Sequence, residues 1–104
     1  MPLFRYSRRA EADLLGIAAY TLRTWGEDQA IRYVNDLEEF SQMLADIPSL
    51  GRKCDHIRAG LRRAEIGKHV LFYREVESGI LISRIRHRSM LPEPHAFDDD
   101  SDDS

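Results

Sequence analysis

Residues 61–87 read LRRAEIGKHVLFYREVESGILISRIRH. Three short runs rich in β-branched and aromatic side chains, Leu61 to Ile66, His69 to Glu75 and Ile80 to His87, are separated by Gly67-Lys68 and by Glu77-Ser78-Gly79. Links this short, each with a glycine, close hairpins, so the three runs predict an antiparallel meander. Strand alternation places Arg84 and Arg86 on the face of Ile80 and Ile82, and His87 with Leu81, Ser83 and Ile85, unless a bulge relaxes the parity.

Upstream the apolar spacing changes from two to three and four. Ala10, Leu14, Ile17, Ala18, Thr21, Leu22 and Trp25 form one helical stripe, started by Ser7 as N-cap and ended by Gly26. Ala30, Tyr33, Val34, Leu37, Phe40, Leu44 and Ile47 form a second, which Pro48 stops. Joined at Trp25-Gly26-Glu27, the two make an αα-hairpin, with Leu3-Phe4-Arg5-Tyr6 as a short strand before it and a loop from the Pro48 turn through residue 60 after it. The expected fold class is therefore α+β: an N-terminal strand, an αα-hairpin, then a three-stranded antiparallel meander, with the helices packed on one face of the sheet. Glu11, Asp13, Glu38 and Glu39 read as solvated helix faces, and Trp25 and Tyr33 as core or hairpin packing.

A chain of 104 residues with 42% apolar and 32% charged side chains has room for one domain, expected over residues 1–92. It has no apolar run of the roughly 20 residues a membrane helix needs, and its start lacks a signal-peptide pattern, so a cytoplasmic location is expected. The single Cys54 makes no internal disulfide and has no ligand-like spacing; it reads as inert, and neither a metal nor a cofactor is expected. Charge is sorted along the chain. Residues 51–90 carry ten Lys and Arg against four acids, whereas the whole chain is at −3. Residues 93–104 hold Glu93, Asp98, Asp99, Asp100, Asp102 and Asp103 with no basic group, and read as an acidic, disordered tail that can shield the basic half.

No phosphate loop, HExxH or GxSxG motif is present, and His56, His69, His87 and His95 lack the spacing of a metal site. An enzyme here would be built from His, Arg and Lys. RNA cleavage is the chemistry those groups support, with His87, Arg84 and Arg74 as the acid-base and charge-stabilising set and Arg62, Arg63 and Arg86 nearby. The other reading makes the same arginines a solvated face or a surface that pairs with acidic groups on a partner. A pI of about 5.8 and the lack of a recognition helix or RNA-binding signature argue against direct sequence-specific nucleic-acid binding.

One series of residues is similar to a known family. Ala10-Glu11-Ala12-Asp13-Leu14, Ile17, Tyr20-Thr21, Trp25-Gly26, Gln29-Ala30 and Tyr33 resemble the first half of ParE-type toxins of bacterial type II toxin-antitoxin modules. Ile47-Pro48, Gly51-Arg52, Ile57-Arg58, Gly60, Arg63, Gly67, His69-Val70, Phe72-Tyr73-Arg74, Ile85, His87 and Met90 continue the likeness in order and spacing. Arg86, where an apolar residue is common, and the Asp-rich tail depart from the pattern.

The resemblance implies the ParE/RelE fold over residues 1–92 and a toxin that poisons DNA gyrase by binding, without catalysis of its own. It also implies neutralisation by a cognate ParD-like antitoxin in a hetero-oligomer. The related RelE branch implies the alternative of a ribosome-dependent mRNA endoribonuclease; a degenerate toxin kept as an antitoxin-binding module is a third. Candidate antitoxin- or target-binding residues are Arg58, Arg62, Arg63, Arg74, Arg84, Arg86, His87, Arg88 and Met90.

Overall fold

The structure, a computed structural model, describes residues 2–89; Met90 and the expected tail over residues 93–104 lie outside the described residues. The elements run β1 (Leu3–Tyr6), α1 (Arg8–Trp25), α2 (Glu27–Asp46), a 3-10 turn (Pro48–Leu50), β2 (Arg52–Lys53), β3 (Arg62–Ile66), β4 (His69–Val76) and β5 (Gly79–His87). They form a five-stranded sheet in the order β1-β5-β4-β3-β2, with β1 parallel to β5 and every other pair antiparallel. The helix hairpin and the meander stand where the sequence places them. β2 is an addition, lying within the stretch expected to be loop.

Ser7 shows how the N-terminal strand and first helix are joined. Its Oγ accepts from the Ala10 amide at 3.0 Å, which caps α1, and donates to the Ser83 carbonyl at 2.8 Å, which ties that cap to β5. At the other end of α1, Gly26 has φ 93° and ψ 175°, a region open essentially to glycine alone, and it turns the chain directly into α2. Gly79 serves a different need. A Cβ there would run into the Leu3 backbone, so a glycine lets β1 lie against the start of β5.

The main core lies between the hairpin and the sheet. Ala10, Leu37, Leu44 and Ala45 from the helices pack on Leu71, Tyr73, Ile80, Ile82 and Ile85. Each fully buried Leu or Ile here contributes about 1.5–3 kcal/mol. The sheet's other face has a smaller cluster, Cys54, Leu61, Val70 and Phe72 with Ile57 beside it, in which the chain between β2 and β3 folds back over the strands. That segment closes on itself through the Cys54 amide and Leu61 carbonyl at 2.8 Å. Val70, Leu71, Phe72 and Tyr73 are therefore all buried, as expected for a strand covered on both faces.

Three expectations are corrected. Trp25 is 66% exposed and Leu22 50%, so neither belongs to the core: Leu22 lies about 100° round the helix from buried Thr21, and Trp25 is the last residue of α1. Asp13 is not a solvated helix residue but an internal partner of the sheet. The parity of β5 changes at a bulge, because Tyr73 stands opposite Ile82 while Phe72 stands opposite Arg84, leaving Ser83 as the extra residue. Ile80, Ile82 and Ile85 thereby share the helix-covered face, and Arg84 and Arg86 move to the other one. Among the described residues, no helix is long and apolar enough to cross a membrane.

Candidate functional site

The bulge divides the basic half of the chain between two surfaces. On the face opposite the helices, Arg84, Phe72, Arg63 and Arg52 form one row across β5, β4, β3 and β2. Arg86, Val70 and Glu65 form the next row toward the β3–β4 turn, and Arg74 lies beside Leu81 in the other direction. On the helix-covered face, His87 stands directly opposite His69.

The arginines of the first surface are held in unlike ways. Arg84 Nε and Nη2 donate to Asp13 Oδ2 and Oδ1 at 2.8 and 3.0 Å, and the Ile85 amide donates to the same carboxylate at 2.9 Å. With side chains only 14% and 16% exposed, this bidentate pair fastens α1 to β5 where β1 has ended. Glu65 is shared by Arg52, Arg88 and Arg63, with Nη2 to carboxylate distances of 2.8, 3.2 and 3.5 Å. Arg63 also lies over the Phe72 ring, 5.8 Å from its centroid. The Nε atoms of Arg63, Arg74 and Arg86 are buried without a hydrogen-bond partner. Among the described residues, no hydrogen bond or ion pair engages Arg74 or Arg86. Arg58 is half-buried on the segment between β2 and β3.

Arg62 belongs to the junction between helices and sheet. Its Nη1 donates to the Gly51 carbonyl at 2.7 Å, next to a buried tyrosine whose hydroxyl fixes the same connection. That hydroxyl, on Tyr73, donates to the Pro48 carbonyl at 2.6 Å and accepts from the Gly51 amide at 2.8 Å. Burial pushes the Tyr73 phenol pKa up, with the Gly51 hydrogen bond opposing it. The Cys54 thiol is likewise pushed up by burial despite the nearby Arg63 and Arg52, which leaves it a poor nucleophile.

At the sheet's end the Tyr33 hydroxyl and His69 Nδ1 share a 2.5 Å hydrogen bond, and the His69 and His87 rings meet edge to face at 5.7 Å. Burial, and then the proximity of His87, hold His69 below the usual histidine pKa. His87 itself is exposed, with Nδ1 bonded to the Ser89 Oγ at 2.8 Å. Arg88 follows, its amide donating to the Lys68 carbonyl at 2.8 Å.

The structure thus brings Arg63, Arg74 and Arg86 onto one face, turns the Arg84 guanidinium to Asp13 of α1, and places His87 on the other face; Met90 lies outside the described residues. His87, Arg84 and Arg74 do not converge on one point, and the Arg84 guanidinium is already engaged. Among the described residues, no three of His, Cys, Asp and Glu gather as a metal site requires. Sequence reasoning passed over Asp13, Glu65, Tyr33 and His69. The hairpin register continued without a break would set His69 against Arg86, so its pairing with His87 depends on the bulge, and the Asp13 contact, which spans 71 residues, had no local signal either.

Known proteins share this fold. A family profile described as ParE toxin of type II toxin-antitoxin system, parDE, matches residues 4–92. Toxin ParE1 of Caulobacter vibrioides is 41% identical over 95 residues, covering 91% of this chain and 98% of that protein. Toxin ParE1 of Mycobacterium tuberculosis is 39% identical over 85 residues, covering 81% and 87% respectively. A solved structure from the chromosomal ParDE toxin-antitoxin system of P. aeruginosa superposes with a TM-score of 0.69 at 25% identity, over 84% of this chain and 96% of that one. With its helix hairpin, its mixed five-stranded sheet and a profile match spanning nearly every described residue, the chain belongs to the ParE toxin family of type II toxin-antitoxin systems.

Proposed function

We propose that this chain inhibits DNA gyrase by binding, without catalysis of its own, and that a ParD-type antitoxin neutralises it in a cytoplasmic hetero-oligomer. Membership of the ParE family supports the toxin role and the antitoxin partner. The observation that carries the non-catalytic reading is the split across the sheet. A general base and the cations that stabilise a phosphorane must reach the same phosphate, yet His87 stands on the face opposite Arg74 and Arg86, and the Arg84 guanidinium is bound to Asp13 of α1. Arginine surfaces of this kind suit protein contacts, and Arg58, Arg62, Arg63, Arg74, Arg86 and Arg88 are the groups offered to an acidic partner segment, with Arg84 holding the strand beneath them.

A gyrase supercoiling assay with purified protein tests the proposal. Dose-dependent loss of supercoiling with trapped cleavage complexes, unchanged in His87→Ala, is expected. Full supercoiling at a large molar excess of the protein would overturn the gyrase assignment. Messenger RNA cleavage that disappears in His87→Ala would replace it with ribonuclease action.

A further inference from the structure

The guanidiniums of Arg74 and Arg86 are the least accounted-for feature of the molecule. They stand on the face opposite the helices with buried, unpartnered Nε atoms, beside Arg63, whose Nε is in the same condition. Leu81, paired with Arg74 and 1% exposed, belongs to neither apolar cluster. Buried N–H groups are rarely left without an acceptor, and three of them on one cationic face call for an anion that accepts from several. Glu65, on the same face of the sheet, is already shared among Arg52, Arg63 and Arg88.

We propose that this face is the docking surface for the chain's own acidic segment, Asp98 to Asp103, whose carboxylates pair with Arg74 and Arg86 and shield the sheet from other anions. Complementarity is the first support: residues 90–104 hold six acids and no Lys or Arg. Reach is the second. β5 ends at His87, opposite His69, and from that row to Arg74 is five residues of β4, about 17 Å at 3.3 Å per residue. Eight residues lie between Ser89 and Asp98, nine steps of chain, enough to span about 30 Å. The segment can therefore reach both arginines from where the last strand stops. Tethering also favours it over an unlinked anion. An attached group acts at a local concentration of about 1 mM, so against an intrinsic Kd of about 0.1 mM it weakens a competing anion about tenfold. The inference is independent of the gyrase reading, since it concerns which anion the face takes.

The experiment uses the full chain and a full-length variant with Asp98, Asp99, Asp100, Asp102 and Asp103 each changed to Asn. Two quantities are read at low ionic strength: the side-chain Nε–Hε NMR resonances of the arginines, and the Kd for an added hexa-aspartate peptide. In the variant, the Arg74 and Arg86 resonances are expected to shift while that of Arg84, held by Asp13, stays. The peptide is expected to bind about tenfold tighter to the variant, a difference that vanishes near 0.5 M salt as screening shortens to a few ångströms. The added Arg74→Gln and Arg86→Gln pair should abolish the gain. Unmoved Arg74 and Arg86 resonances with equal Kd values would overturn the proposal and leave a partner's acidic segment as the occupant. A gain that survives the Arg→Gln pair would also overturn it, by placing the segment elsewhere.

Discussion

Removing the Asp13 carboxylate should damage the fold more than any other single change on the surface of α1. Asp13→Ala takes away the acceptor of two Arg84 hydrogen bonds and of the Ile85 amide. It also leaves a guanidinium whose side chain is 14% exposed without a counter-ion. Breaking a buried pair from one side costs about 3–5 kcal/mol, and the remaining exposure places this one at the lower end, about 3 kcal/mol. Arg84→Ala should cost less, about 2 kcal/mol, because the abandoned carboxylate still accepts from the Ile85 amide. For a domain this size, 3 kcal/mol lowers Tm by about 10–20 °C. The decisive quantity is the double-mutant cycle by urea denaturation: the Asp13→Ala, Arg84→Ala double variant should be less destabilised than the sum, with a coupling of about 2 kcal/mol. A coupling under about 0.5 kcal/mol would mean that the pair is an ordinary solvated contact and that α1 is held to β5 by packing alone.

Tyr73→Phe keeps the ring but strands the Pro48 carbonyl and Gly51 amide; a loss of about 2 kcal/mol is expected in chemical denaturation, and a change under 0.5 kcal/mol would contradict the hydroxyl's role as a clamp. His69 is depressed below its ordinary pKa, so the unfolded chain takes up its proton first: stability is full above about pH 6.5 and falls as pH drops below it, by at most about 1.4 kcal/mol per pH unit. His69→Gln should flatten that part of the profile; an identical slope in the variant would assign it to other groups. Gly79→Ala should cost about 3 kcal/mol or more by forcing β1 away from β5, and a melting temperature within 2–3 °C of the parent would refute the close approach.

Where function-bearing contacts are local in sequence, the sequence displayed them. Three-and-four spacing, Ser7 and Pro48 marked both helices, and glycine-bearing links marked the hairpins, because each of these signals acts within one or two turns of chain. The features that place the arginines are tertiary. Ser83 is an ordinary strand residue until β4 is laid beside it, and the bulge arises from that pairing. Asp13 looks like any solvated helix acid until the Ile85 amide lies next to it. The segment from Cys54 to Leu61 has no apolar period, so its four-residue cluster with Val70 and Phe72 was legible only once both faces of the sheet were known.

The position of β5 has a kinetic consequence. It lies between β1 and β4, yet it is the last strand in the chain, so β1 has no neighbour in the sheet until residues 79–87 have been synthesised. The helices too lack three of the five buried sheet residues they pack on, Ile80, Ile82 and Ile85, until then. Contacts of such long sequence separation form late and slowly. A growing chain can therefore pair β2, β3 and β4 and close the small cluster on their outer face first, but it cannot complete the helix-covered core or seat β1 until residues 79–87 are made.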